Sequence, residues 1–177
     1  YPNVPHHSMI LGPRYKELLK DIFWRKRLSE DFSLYLHRPT ATDTSMAPDG
    51  CDTFYALVPV PHLDAGVDWE ALGPEFRDRI QARLESTVLP ELSENIVCSH
   101  YVTPKDFESR YNSYKGAGFG PEPVIWQSAW VRAHNRSEEV DNLYLVGAST
   151  HPGAGIPGVL TSARVVTEGV PHACELV

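Results

Sequence analysis

The stretch that most restricts the fold of this chain is Asn142 to Val166, NLYLVGASTHPGAGIPGVLTSARVV. Leu143, Tyr144, Leu145 and Val146 form an apolar run of β-formers, glycines 147, 153, 155 and 158 punctuate the loop behind it, and a helix-compatible segment runs from Val159. The order predicts strand, glycine loop, helix. Glycine permits positive φ and lets a ligand come close to the backbone, and the N–H groups at a helix start carry partial positive charge. Such a loop suits a cofactor's phosphate or an electron-rich carbonyl oxygen. It equally suits a tight connection that binds nothing. The spacing is not the dinucleotide fingerprint GxGxxG opening directly out of a strand, and no such fingerprint occurs elsewhere in the chain. The residues alone lead to a candidate cofactor loop and no further.

Hydrophobic periodicity supplies the elements upstream. Met9, Ile10 and Leu11 predict a short strand ending at Gly12-Pro13, and Tyr15, Leu18, Leu19, Ile22 and Phe23 fall on one helical stripe beginning near Arg14. Trp24 to Glu30, WRKRLSE, reads either as a solvated helix end whose cations oppose the C-terminal dipole or as a headgroup-facing patch. Residues 32–37 and 53–60 predict two antiparallel strands with Pro48-Asp49-Gly50 as turn chemistry between them, and Pro59 and Pro61 mark a sheet edge. Asp68 is the expected N-cap of a long helix that carries Trp69, Leu72, Phe76, Ile80, Leu84 and Val88 on one face and ends at Pro90. Residues 96–102 predict another strand, and Thr103-Pro104 opens a short helix through Tyr111. Beyond Gly116, Gly118 and Gly120, Trp126 and Trp130 are expected either in the core or along an apolar tunnel for a long hydrocarbon. Strands interleaved with helices predict an α/β (α+β) class without internal repeats.

Composition removes several function classes. Sixteen basic against 23 acidic residues give a net charge of −7, which argues against a general nucleic-acid or anionic-membrane binder. The three cysteines, Cys51, Cys98 and Cys174, stand far apart with no CxxC, so a reducing setting is expected. The start, YPNVPHHSMIL, lacks the features of a signal peptide and an initiating methionine, and reads as the interior of a longer protein. No run approaches the ~18 apolar residues that span a bilayer, so any membrane contact is expected to be peripheral. His6 and His7 are adjacent, so strand alternation sends them to opposite faces, and with no HExxH or Cys/His cluster a metal site is not expected. Ser149 and Ser162 lack a GxSxG elbow, which leaves an acyl-transfer triad without an anchor. His134, Arg136 and His151 are the polar residues nearest the glycine loop.

LYLVGASTHPGAGIPGV, preceded by QSAWVRAHNR, resembles the carboxy-terminal end of the bacterial-type phytoene desaturases, flavoproteins of the amine-oxidase-like superfamily. The resemblance extends through PHHSMILGPRYKELL, EDFSLYLHRPT and MAPDGCDTFYALVPVPHL and covers nearly the whole chain. It departs at Ser149, where relatives usually carry another glycine. It implies a partial FAD-dependent oxidoreductase fold, with residues 1–136 in the substrate domain and its return to the FAD domain, and residues 137–177 closing the FAD-binding domain. Leu143 to Val146 would be the last strand of that domain. Gly147, Ala148 and Ser149 would pass near the FAD diphosphate or ribityl chain, and Ile156, Pro157, Gly158 and Val159 would reach the flavin's pyrimidine edge. Ala148 stands where amine oxidases often carry an acidic residue. No catalytic side chain is singled out, because a flavin accepts the hydride while the protein positions substrate and excludes water. The implied substrate is a long apolar polyene, phytoene taken toward lycopene, handled in the cytoplasm at the inner face of the cell membrane. The amino-terminal portion with the nucleotide fingerprint would have to come from elsewhere. A sibling desaturase for another carotenoid, or a non-catalytic fragment or split subunit, are the alternative readings.

Overall fold

Leu34 and Leu36 fix the centre of the fold: two residues apart, they point to the same side of an extended segment, and Leu36 is 0% exposed. In the computed structural model, which describes residues 1–171, they lie on β2 (Leu34–His37), the middle strand of a three-stranded antiparallel sheet. β1 (His7–Ile10) pairs with β2 in the register His7↔His37 and Ile10↔Leu34. β3 (Tyr55–Leu57) pairs on the other side, with Tyr35 opposite Leu57 and His37 opposite Tyr55. It stops before Pro59, whose missing N–H suits a strand that ends at a sheet edge. Cys174 falls outside the described residues, while Cys51 and Cys98 are free and exposed.

Helix α1 (Tyr15–Phe23) buries Leu18 and Ile22 of the expected stripe. α2 (Trp69–Thr87) starts as its sequence implies: the Asp68 carboxylate accepts from the N–H groups of Glu70 and Ala71 at 3.1 and 3.2 Å. Its buried face is narrower than the sequence stripe, because Leu72 is exposed. Leu84 from α2 and Leu89 beyond it close over Leu34, Leu36 and Val4, and Phe76 meets Phe32 edge-on at 5.4 Å. A single turn, α3 (Leu92–Asn95), follows Pro90. α4 (Pro104–Tyr111) opens with a reciprocal cap, in which the Thr103 N–H donates to Asp106 at 2.8 Å and the Asp106 N–H donates back to Thr103 Oγ1. α5 (Ile156–Gly169) is the last element described. The class is mixed helix and strand, as expected.

Residues 96–102 form no strand. Val97 is 88% exposed, and no neighbour among the described residues offers this segment a ladder. The WRKRLSE segment is not a freely solvated helix end either. Arg25, Arg27 and Ser29, with Arg14 from the other side, converge on the fully buried carboxylate of Asp21. Their hydrogen bonds, led by Arg27 and then Arg25 and Ser29, outweigh the desolvation of the site and hold the Asp21 carboxyl well below the usual carboxylate range. Trp24 remains exposed beside them.

The expectation that His6 and His7 diverge is also overturned. β1 begins at His7, so His6 lies outside the ladder and alternation does not govern it. One ring nitrogen from each of His6, His7 and His37 falls within 4.8 Å of the others. The His6 imidazole has its pKa lowered, first by desolvation and then by the neighbouring rings of His7 and His37.

Candidate functional site

The glycine loop is held by one buried hydroxyl. Ser162, on the second turn of α5, has its Oγ 2.9 Å from Asn135 Nδ2, 2.8 Å from Thr150 Oγ1 and 3.2 Å from the Gly147 amide nitrogen. Thr150 Oγ1 donates to the Gly147 carbonyl at 2.9 Å, so the proton between the two hydroxyls belongs to Ser162, which accepts from the other two groups. The Asn135 amide also donates to the carbonyls of Leu145 and His151, at 3.1 and 3.0 Å. Residues 133–137 and 143–151 are thereby tied to each other and to α5.

Leu143 to Val146 is not the regular strand its sequence implies. The Leu145 N–H donates to Asn135 and the His151 N–H to Ala133, yet the pairing amounts to isolated bridges, Ala133↔Thr150 and Arg136↔Tyr144. Leu143 and Val146 stay exposed, and no strand among the described residues runs alongside them. The chain then turns at residues 147–150, where the Thr150 N–H donates to the Gly147 carbonyl at 3.2 Å. Gly155, at φ +89°, takes the N-cap position of α5, a conformation that L side chains rarely adopt. A Cβ on Gly158 would stand 2.5 Å from the Gly153 carbonyl oxygen, so the first turn of α5 lies directly on the loop.

The expectation about spacing is corrected in one respect: Gly153, Gly155 and Gly158 do have G-x-G-x-x-G spacing, and what departs from the fingerprint is that a turn rather than a strand leads into them. α5 carries no side-chain cap. Pro157 has no N–H, and those of Ile156 and Gly158 find no acceptor among the described residues. Of the residues expected at a cofactor, Gly147, Ala148, Gly158 and Val159 are half-buried, while Ser149, Ile156 and Pro157 are exposed. Ser162 and the Gly153–Gly158 contact bring the two groups onto one assembly with an open face. Two shallow concavities of the surface lie away from this assembly, one beside α2 at Leu72 and Phe76 and one beside Trp24.

Trp126 and Trp130, expected in the core or along a tunnel, are 74% and 71% exposed. They sit in short 3₁₀ turns, Ile125–Gln127 and Ala129–Val131, whose apolar side chains stay largely exposed. His134 bonds Glu138 at 2.7 Å and the Trp130 carbonyl, and Arg136 takes part in the Tyr144 bridge. His151 has its ring edge-on to Trp130, with a buried Nδ1 that has no partner among the described residues.

Arg132 and Asn135 also hold the loop, although neither belongs to a recognisable motif. Arg132 is buried, donates to the carbonyls of Ala148 and Pro121, and keeps a buried Nε without a partner among the described residues. The available signal was a cation inside an apolar run, Ala129-Trp130-Val131-Arg132, which folds only if backbone carbonyls receive it.

No family model matches the chain. Among curated proteins, the lycopene-forming phytoene desaturase of Pantoea ananas is 53% identical over 165 residues, 93% of this chain and 34% of its own length. The neurosporene-forming phytoene desaturase of Cereibacter sphaeroides is 52% identical over 98% of this chain and 34% of its own. A 4,4'-diapophytoene desaturase of Methylomonas sp, 4,4'-diapolycopene-forming, is 38% identical over 92% of this chain and 32% of its own. These relatives are carotenoid desaturases, and the chain spans about a third of their length. Within that class it belongs to the bacterial phytoene desaturase family, as a homologue of the carboxy-terminal third of its members.

Proposed function

We propose that the chain is the carboxy-terminal part of a carotenoid desaturase that oxidises phytoene toward lycopene, with FAD as the hydride acceptor. The observation that carries this reading is 53% identity over 93% of the chain to a lycopene-forming phytoene desaturase. Residues 1–136 would contribute to the substrate domain and its return, and the rest to the FAD-binding domain. The glycine assembly suits an anionic dinucleotide on three counts. It is open, it presents the Ile156 and Gly158 N–H groups, and no carboxylate occurs from Leu143 to Thr167.

In this reading Gly147, Ala148 and Ser149 border the diphosphate or ribityl chain, and Ile156 to Val159 border the flavin's pyrimidine edge. FAD, when bound, supplies the hydride acceptance. The residues of this chain have three tasks. The two N–H donors at the start of α5 favour negative charge at the pyrimidine edge, the Ser162–Asn135 network keeps those donors in place, and the exposed indoles help exclude water beside an apolar polyene. The amino-terminal portion would lay a strand along Leu143–Val146 and cover Trp126 and Trp130. Peripheral contact with the inner face of the cell membrane, through exposed Phe23 and Trp24 beside Lys26, belongs to the same proposal; no helix among the described residues is long and apolar enough to cross a membrane.

The test is a chimera in which this chain replaces the homologous third of the Pantoea ananas enzyme in a phytoene-accumulating host. Lycopene is the expected product. A folded chimera that leaves phytoene untouched refutes the reading. The identity to a diapophytoene desaturase favours one second reading, a C30 substrate, which the same host separates if diapophytoene alone is consumed.

A further inference from the structure

His7 on β1 and His37 on β2 are paired in the antiparallel register, so both imidazoles rise from one face of the sheet. His6, just outside the ladder, folds its ring back over them, with centroids 4.4 Å from His7 and 4.7 Å from His37. The Nε2 atoms of His6 and His37 are 2.7 Å apart, a separation at which one ring donates its proton into the lone pair of the other. Behind the cluster, Thr42 Oγ1 bonds His6 Nδ1, and the Tyr35 hydroxyl bonds His7 Nδ1 at 2.6 Å. Hydroxyls that accept from Nδ1–H fix the tautomer and leave Nε2 bare. Groups behind metal-ligating histidines do the same.

We propose that His6, His7 and His37 form a site for one divalent first-row transition ion of the zinc type, with its fourth position open to solvent. The donor set is imidazole alone, without carboxylate or thiolate, which suits zinc, copper or nickel and not calcium or magnesium. On binding, His37 moves its proton from Nε2 to Nδ1, so the lone pairs of both Nε2 atoms face the ion. No proton is released by that step. The two nitrogens then separate from 2.7 Å to about 3.3 Å, the spacing set by ~2.0–2.1 Å bonds in a tetrahedron. His7 is exposed and gives the ion its way in. The ion pins β1 to β2 at the end of the sheet, and the proposal does not depend on the desaturase reading.

Metal-depleted chain is titrated with Zn²⁺ by calorimetry and by competition with a chromophoric chelator, and with Co²⁺ by visible absorption. One ion per chain is expected, with Co²⁺ bands of a four-coordinate nitrogen-rich site. His6→Ala and His37→Ala each weaken binding by at least about 100-fold, more than is lost with an outer partner. His7→Gln, an exposed substitution that leaves the core untouched, keeps the loss interpretable if His37→Ala misfolds. His134→Ala leaves binding unchanged. The site is refuted by Zn²⁺ affinity and stoichiometry that are the same in His7→Gln and His37→Ala as in the parent chain, or by no binding at submillimolar Zn²⁺.

Discussion

Replacing Ser162 by alanine removes the one hydroxyl on which the glycine assembly converges. Its Oγ is fully buried, and all three of its hydrogen-bonding capacities are in use. Asn135 keeps two carbonyl acceptors for its two amide hydrogens, so it is not orphaned. The Gly147 N–H has no other partner among the described residues, and leaving it bare costs about 1–3 kcal/mol. The lost bond to Thr150 adds about 1 kcal/mol. A total of about 2–4 kcal/mol, with a urea m-value of about 2 kcal/mol/M, lowers the unfolding midpoint by roughly 1–2 M. Tryptophan fluorescence and far-UV circular dichroism report it, with Ser86→Ala, an exposed change, as the control expected within about 0.5 kcal/mol. Asn135→Ala and the double variant complete a cycle whose coupling should be about 0.5–3 kcal/mol. A Ser162→Ala midpoint indistinguishable from the parent, or strict additivity with Asn135→Ala, refutes the hub.

Gly158→Ala places a methyl 2.5 Å from the Gly153 carbonyl, so the chain should lose about 1–3 kcal/mol in the same urea assay even though alanine is the better helix former. Thr103→Ala dissolves the reciprocal cap of α4 and should cost about 1 kcal/mol, seen as faster amide exchange in the first turn of that helix. Asp21 has its folded pKa depressed below the unfolded value. Its stabilisation is therefore fully present above the ordinary aspartate range near pH 4 and is lost as pH falls toward the folded pKa. Midpoints measured between pH 2 and 6 should fall on acidification below about pH 4, and Asp21→Asn should flatten that fall. An equally steep fall in Asp21→Asn removes Asp21 as its source.

Local chemistry made some elements legible before any coordinates. The span of α1, the Asp68 cap of α2 and the Thr103-Pro104 opening of α4 each depend on residues within one or two turns, and each is found where the sequence implies, although Tyr15 and Phe23 of the α1 stripe stay exposed. Strands depend on partners. Leu143–Val146 and residues 96–102 have the composition of strands and lack a full ladder among the described residues. The Asp21 clamp and the three-histidine cluster were illegible for a related reason. Arg27 and Ser29, beyond the end of α1, fold back onto Asp21, and His37 meets His6 across 31 residues, contacts that no periodicity registers. The glycine assembly was half legible. Its glycines announced a loop, but nothing in the spacing of Asn135 and Ser162 marked them as the pair that holds it.

The reading that this chain supplies one wall of a flavin site is tested most directly by flavin occupancy. The chain is co-expressed with the amino-terminal two thirds of the Pantoea ananas phytoene desaturase, and the purified complex is assayed for bound FAD by absorption and by release on denaturation. A yellow complex holding close to one FAD per pair is expected, with occupancy reduced when Gly158→Ala displaces the start of α5. A stable complex that carries no flavin, or one whose flavin is indifferent to Gly158, contradicts it.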